Sequence, residues 1–212
     1  MLARKVITRR GRRFRGYFPS RKLGRMMEWE SLNERNVILL FEFSPGVLSY
    51  QAQPALIHYH DGQDTRAYYP DFEVIFLNGE AIHVEVKLAR ELAKRVVQDK
   101  YRAIAADYNR RQQGFRILTD HDLLCGSLLS NLQLLASIQR MAGRTIEFRR
   151  LWNKHFTSQL VPFADAEERL GRATLLALLA VGVAHCDLRQ PLAGETPVHL
   201  IQEGGCDVTY LL

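Results

Sequence analysis

Residues 68–87, YYPDFEVIFLNGEAIHVEVK, decide the fold of this chain. Apolar and polar residues alternate on both sides of Asn78-Gly79, which is typical of two antiparallel strands joined by a tight turn. A two-residue turn at this point would place polar residues opposite core residues. A three-residue turn closed by Gly79 in the left-handed region sorts them onto separate faces. The pattern therefore predicts a bulged turn at Gly79.

The predicted register separates the hairpin into two faces. Phe72 and Val74 lie opposite Val84 and Ile82 on a buried face. The other face carries ionisable side chains, which are Asp71, Glu73, His83, Glu85 and Lys87. One side of the hairpin is therefore predicted to join the core, and the other to form a charged cluster.

Asp71 and Glu85 oppose each other in this register, and like charges that face each other across two strands are destabilising. A divalent cation would offset the repulsion, whereas Lys87 alone could neutralise only one of the two acids. Magnesium takes carboxylate oxygens and water, and it leaves positions open for a phosphate. The cluster therefore predicts a metal-dependent phosphodiesterase, in which Lys87 orients the attacking water or helps to deprotonate it.

The composition sets the class of protein. The chain has 212 residues and 47% hydrophobic composition, enough for a compact domain and a smaller second one. No apolar run is long enough to span a membrane. The three cysteines are far apart without a Cys-x-x-Cys pair, which argues against a disulfide framework and a zinc site. We therefore expect a cytoplasmic protein without a membrane partner.

Basic charge is concentrated near the N-terminus. The first 25 residues contain ten lysines or arginines and no acidic residue, although the net charge of the whole chain is only +6. Aromatic residues are interleaved with the basic ones, as expected of a segment that follows a phosphate backbone. A solvated tail is the alternative. The predicted DNA contacts are Arg9, Arg10, Arg12, Arg13, Arg15, Arg21, Lys22 and Arg25.

The order of predicted elements indicates an α/β fold. Residues 26–43 show helical periodicity, and residues 54–60 form a strand that precedes the hairpin. Residues 91–111 carry an apolar stripe with helical spacing and lead into the short strand FRILT. This order is typical of a mixed sheet flanked by helices. It assigns residues 26–125 to one domain, behind a basic arm of residues 1–25.

Residues 126–212 form the predicted second domain. Helical patterns dominate it, and two short strands surround residues 191–194 near its end. Helices followed by a small hairpin suggest a winged-helix-like domain, an architecture that binds DNA in some proteins and other proteins elsewhere. The last helix, residues 172–188, is almost entirely apolar, which favours protein contact or simple packing over reading of a DNA groove.

Five separate pieces of the sequence occur in an informative order: SRKLGRMMEWESLNERNVILLFEF, QAQP, YYPDF, VEVK and FRILTD. Their order and spacing resemble the TnsA-type endonuclease subunit of heteromeric transposases, in the PD-(D/E)XK restriction-endonuclease-like superfamily. The resemblance covers roughly residues 20–125 and implies a restriction-endonuclease-like fold. It also implies a single-strand cut at the 5′ ends of a transposon, beside a TnsB-type transposase and a TnsC-type ATPase.

The resemblance also implies the site residues. Its helix acid falls on Glu34, its strand aspartate on Asp71, its second acidic position on Glu85 and its lysine on Lys87. Periodicity alone leaves Glu30 and Glu34 as alternatives for the helix acid. The three acids would hold one or two Mg²⁺ ions, with Mn²⁺ as a substitute.

Several alternatives stay open at the level of sequence. Gln53, in the QAQP segment, either lies beside the site or belongs to an ordinary turn. The protein could instead be another nuclease of the same superfamily, acting in repair, restriction or junction resolution. It could also be a catalytically idle adaptor that keeps the basic arm and binds DNA.

Overall fold

The structure, a computed structural model, describes residues 15–139, 145–202 and 205–211. These residues form two compact units. The first unit comprises the described residues up to Glu42 together with Val47–Leu123. The second comprises Phe43–Gly46 and the described residues from Leu124 onward.

The first unit contains both strands and helices. In chain order its elements are β1 (Gly16–Ser20), β2 (Arg25–Trp29), α1 (Leu32–Phe43), β3 (Val47–Ala52), β4 (Ile57–His60), β5 (Thr65–Tyr68), β6 (Phe72–Phe76), β7 (Ala81–Lys87), α2 (Ala89–Leu92), α3 (Arg95–Arg110), β8 (Gly114–Thr119) and α4 (Asp120–Leu123).

A four-stranded mixed sheet organises this unit, in the order β3-β6-β7-β8. Strands β3, β6 and β7 are antiparallel neighbours, and β8 lies parallel to β7 after the crossover through α2 and α3. On one face of the sheet, Phe41 of α1 packs edge-on against Phe72 at 5.4 Å between ring centroids. The opposite face is covered by α3 and the β4–β5 hairpin, where Tyr59, Tyr68, Tyr101, Ile104 and Tyr108 form a buried cluster. The predicted mixed α/β sheet is confirmed.

The turn between β6 and β7 has the predicted bulged geometry. Gly79 has a φ of +86°, and the Phe76 N–H donates to the Glu80 carbonyl at 2.8 Å. Phe72 consequently pairs with Val84, as the alternation of apolar residues requires. The register prediction is therefore confirmed.

The segment before α1 differs from the prediction. Residues 26–43 do not form one helix, because residues 25–29 form β2 and pair with β1. Met27 is buried opposite Phe18, an alternation that suits a strand. The helix begins only at Leu32, after the capping sequence Ser31-Leu-Asn-Glu34. The predicted basic arm thus includes a folded hairpin, while residues 1–14 lie outside the described residues.

A buried carboxylate anchors the turn of this first hairpin. Glu42 of α1 accepts hydrogen bonds from the hydroxyls of Ser20 at 2.6 Å and Tyr50 at 2.8 Å. It also accepts from the backbone N–H groups of Arg21 and Lys22, at 2.9 and 3.0 Å. Since every donor points at one carboxylate, the hairpin turn is fixed to the end of the helix.

Two further predictions about the sheet were wrong in detail. The strand predicted before the hairpin, β4, pairs only with β5 in a separate two-stranded sheet, so it is not part of the central sheet. The helix predicted over residues 91–111 is divided into α2 and α3, because Lys94 has an extended backbone conformation with ψ of 128°. Local periodicity does not show which strand a segment pairs with. It also does not reveal a short interruption within a helix.

The second unit combines helices with a small sheet. Its described elements are α5 (Leu128–Gln139), α6 (Thr145–His155), β9 (Leu160–Pro162), α7 (Phe163–Leu170), α8 (Arg172–Ala180), β10 (Ala184–His185) and β11 (Pro197–Leu200). The strands form an antiparallel sheet in the order β10-β11-β9. Helices with a small antiparallel sheet agree with the prediction only at this coarse level, and the winged-helix architecture stays a prediction. None of the described helices of the chain could cross a membrane.

Candidate active site

Asp71 and Glu85 meet at one edge of the β6–β7 hairpin. Asp71 directly precedes β6, next to the Phe72–Val84 pair, so the register brings it opposite Glu85. Its Oδ2 accepts a hydrogen bond from the Val86 N–H at 2.8 Å. The carboxylate of Asp71 is thereby held against the strand that carries Glu85.

Glu85 is buried, with 3% of its surface exposed, and its carboxylate is surrounded by donors. The Tyr68 hydroxyl donates to Oε2 at 2.6 Å, and the Tyr101 hydroxyl donates to Oε1 at 2.5 Å. The ammonium of Lys87 forms an ion pair with Oε1. Three elements, β5, α3 and β7, therefore fix the orientation of this carboxylate.

Electrostatic coupling joins these residues into one cluster. Burial, with the Glu85 carboxylate as the second cause, raises the pKa of Asp71 to about 7 against the opposing effect of Lys87. Burial lowers the pKa of Lys87, but the carboxylates of Glu85 and Asp71 outweigh it, so that its pKa is raised overall. Lys87 consequently stays charged at neutral pH. Asp71, by contrast, is present in both its protonated and its ionised form near pH 7.

Glu34 lies in the same field but has another structural role. Its carboxylate accepts from the Glu30 N–H at 2.8 Å and from the Ser31 hydroxyl at 3.0 Å, while the Ser31 Oγ accepts from the Glu34 N–H. This is a variant of the capping box at the start of α1, in which the carboxylate reaches the N–H of Glu30 rather than that of Ser31. Burial raises the pKa of Glu34, and the charge of Lys87 partly opposes that shift. Glu34 thus interacts electrostatically with the cluster, while both of its carboxylate oxygens accept hydrogen bonds at the start of α1.

Gln53 lies beside the cluster, joined to it through the backbone. Its N–H donates to the Asp71 carbonyl at 2.8 Å, and its φ of +44° is unusual for a residue other than glycine. The buried side chain and the strained backbone mark a position held in place by its surroundings. Gln53 therefore adjoins Asp71 through its backbone, and a part for it in the site stays a prediction.

The predicted DNA contacts of the arm divide into three groups. Arg9, Arg10, Arg12 and Arg13 lie outside the described residues. Arg21 and Arg25 are exposed on the first hairpin, and Arg15 is half-buried. Lys22 forms the third group, because its ammonium binds backbone carbonyls within the protein.

The ammonium of Lys22 donates to the carbonyls of Phe41 at 2.8 Å and Val47 at 2.7 Å. Burial lowers its pKa to about 8, against the raising effect of Glu42. Lys22 therefore has a structural role, which the charge pattern could not distinguish from a phosphate contact.

A divalent cation at this cluster would need oxygen ligands from nearby side chains. Among the described residues, no group of three or more histidine, cysteine, aspartate or glutamate side chains is arranged to hold a metal ion. Magnesium often uses only one or two carboxylates and takes its remaining ligands from water and phosphate. Asp71 and Glu85 supply two such carboxylates in repulsive proximity. The residues present therefore fit a cation held by this pair, and Glu34 adds charge from further away.

Two residues that contact Glu85, Tyr68 and Tyr101, were not predicted from the sequence pattern. Each donates its hydroxyl to Glu85, and their rings meet edge-on with centroids 6.4 Å apart. A signal was present, because a tyrosine on the buried stripe of a helix needs a partner for its hydroxyl. The identity of that partner depends on tertiary structure.

The mixed sheet, with an acidic cluster and a lysine at one edge, is consistent with a nuclease-like α/β fold. Residues 44–120 match the family model described as TnsA-like endonuclease N terminal. The match confirms that this part of the chain resembles the N-terminal domain of TnsA-type endonucleases, a kind of domain that implies nuclease activity. The match includes Asp71, Glu85 and Lys87, whereas Glu34 precedes it. The search of curated proteins gave no match to the chain.

Proposed function

We propose that this protein is the DNA endonuclease subunit of a heteromeric transposase and nicks the 5′ ends of the transposon. The observation that carries the proposal is the convergence of Asp71, Glu85 and Lys87 on adjacent strands within the TnsA-like domain. Cleavage of a phosphodiester adds negative charge to the phosphorus oxygens in the transition state. Two carboxylates and a charged lysine suit that reaction once a divalent cation is bound.

Each residue has a defined part in this proposal. Asp71 and Glu85 would hold Mg²⁺ or Mn²⁺, which when bound neutralises the acids and stabilises charge on the phosphate. Lys87 keeps its positive charge at the site and stabilises the negative charge that develops on the phosphoryl oxygens. Tyr68 and Tyr101 hold the Glu85 carboxylate in one orientation. Glu34 adds negative charge from the start of α1.

The proposed partners follow from the resemblance to TnsA-type subunits. In a heteromeric transposase of that type, 3′-end cleavage and joining would belong to a separate TnsB-type transposase. A TnsC-type ATPase would be the second protein partner. We assign the docking of partners to the second unit as a winged-helix-like domain, because the apolar α8 suits packing or protein contact better than a DNA groove.

An assay with defined strand products tests the proposal. Transposon-end DNA is incubated with the protein, its TnsB- and TnsC-type partners and Mg²⁺, and cutting of each strand is followed separately. The variant Asp71→Ala should lose 5′-strand nicking while 3′-end joining continues. Glu80→Gln, an exposed acid in the same hairpin, is the matched control and should cut normally. Undiminished 5′ cutting by Asp71→Ala would remove Asp71 from the mechanism.

A catalytically idle adaptor is the second candidate, and one observation favours it. Both carboxylate oxygens of Glu85, and both of Glu34, already have hydrogen-bond partners inside the protein. Calorimetric titration with Mn²⁺ separates the two candidates. The endonuclease should bind the ion in a manner that is lost in Asp71→Ala, whereas an adaptor should show no such dependence.

A further inference from the structure

Lys100 differs from the other basic residues of α3. Arg95, Arg102 and Arg110 each lie within 4 Å of an aspartate on the same helix, at Asp99 or Asp107. Lys100 has no carboxylate partner among the residues that the structure describes, although its side chain is exposed. Its positive charge is therefore not neutralised by its own helix.

The position of Lys100 connects it to the candidate active site. Its ammonium lies 5.6 Å from the ring centroid of Tyr68 and 5.2 Å from that of Tyr101. These are the two tyrosines whose hydroxyls hold Glu85. The ammonium of Lys87 lies 5.9 Å from the same Tyr101 ring, so both lysines lie around one tyrosine of the cluster.

The electrostatic balance of the site explains why a second cation is needed. Lys87 is already paired with Glu85, and Asp71 and Glu34 add further negative charge to its field. A DNA phosphate that approaches this cluster meets carboxylates whose neighbouring lysine, Lys87, is already paired with Glu85. A bound metal ion offsets part of that repulsion, and a lysine without a carboxylate partner at the rim offsets more.

We propose that Lys100 binds a backbone phosphate of the DNA at the candidate active site. The two tyrosine rings restrict the lysine side chain, which reduces the conformational entropy lost when the phosphate binds. The ligand class is a nucleic-acid phosphodiester, because a lysine ammonium binds phosphate as a point charge and such a contact does not depend on the base. This inference rests on the proposed nuclease function and assigns a substrate contact to it.

The salt dependence of DNA binding tests this contact without requiring cleavage. A fluorescent transposon-end duplex is titrated with the full chain in chelator at several salt concentrations, and the slope of log K against log [salt] is determined. Loss of one phosphate contact reduces the slope by about 0.9 for duplex DNA. Lys100→Gln and Lys100→Met should each show that reduction, and Lys100→Arg should keep the original slope. Thermal unfolding of each variant confirms that it is folded, and Lys100→Met keeps the apolar stem over the rings.

Arg102→Gln provides the matched control. It removes the same charge from the same helix, at a residue that is already paired with Asp99. Its slope should equal that of the unmodified chain. An unchanged slope in both Lys100→Gln and Lys100→Met would overturn the contact, as would a slope reduced equally in Arg102→Gln.

These outcomes are separable from failure of the proposed function. The contact can fail in the binding assay while Asp71→Ala still abolishes nicking, which would leave the endonuclease assignment intact. Conversely, a reduced slope in the Lys100 variants together with undiminished nicking by Asp71→Ala would support the phosphate contact and reject the proposed mechanism.

Discussion

Asp71→Asn should make the protein more stable at alkaline pH in the absence of metal. Asp71 is half-buried, and its carboxyl is desolvated beside Glu85, so ionising it costs more free energy in the folded state than in the unfolded chain. Asparagine keeps an oxygen that can accept from the Val86 N–H, and its amide can donate to Glu85. The substitution therefore removes a repulsion without removing the hydrogen bond that holds residue 71.

The sign and size of the effect follow from the pKa. Burial, with Glu85 as the second cause, raises the pKa of Asp71 from its ordinary value of 3.8 to about 7. The folded protein thus retains a proton that the unfolded chain has lost, and stability falls as pH rises from about 4 to about 7. At about 1.4 kcal/mol per pH unit, the full cost is on the order of 4 kcal/mol above pH 7 and close to zero at pH 4.

Urea denaturation at pH 4 and pH 8, with chelator present, measures this difference. We expect Asp71→Asn to exceed the unmodified protein in free energy of unfolding at pH 8, and the two to be nearly equal at pH 4. Glu80→Gln, on the exposed part of the hairpin, should show no such pH-dependent gain. If Asp71→Asn is less stable than the unmodified protein at pH 8, the reasoning about buried repulsion is refuted.

Three further outcomes can be measured separately. Glu42→Gln should lower the free energy of unfolding by about 3 kcal/mol in urea denaturation, since its amide nitrogen would face donors that now point at a carboxylate oxygen; an unchanged midpoint would contradict this. Tyr101→Phe should weaken calorimetric Mn²⁺ binding about tenfold, because Glu85 loses a group that orients it; equal affinity would argue against that role. Gly126→Ala should destabilise more than Gly24→Ala, although both glycines have positive φ, because only at Gly126 would an added Cβ overlap the carbonyl of Arg189. Thermal unfolding compares the two variants, and similar losses would reject the clash.

The sequence predicted the site best where the determining interactions are local. Alternation of apolar residues and the position of Gly79 were sufficient for the register that brings Asp71 opposite Glu85. Both features lie within one hairpin. The metal, the DNA contacts and the partners stay predictions.

Other features were missed for two different reasons. The sequence Ser31-x-x-Glu34 is a capping signature and could have revealed the true start of α1. By contrast, the hydroxyl of Tyr101 reaches Glu85 only when α3 packs on the sheet, and the separate pairing of β4 is equally non-local. Contacts of this kind depend on tertiary structure, which periodicity does not contain.

The crossover through α3 affects how the protein is made. Tyr101 is synthesised after the hairpin that carries the acids, and β8 is synthesised later still. A nascent chain that has left the ribosome only as far as β7 can pair its two acid-bearing strands. It lacks the hydroxyl from α3 that restrains Glu85, and the β7 edge has no parallel neighbour. The acidic cluster is therefore completed only when the crossover from β7 to β8 has been synthesised. A shorter nascent chain carries Asp71 and Glu85 without the helix that orients Glu85.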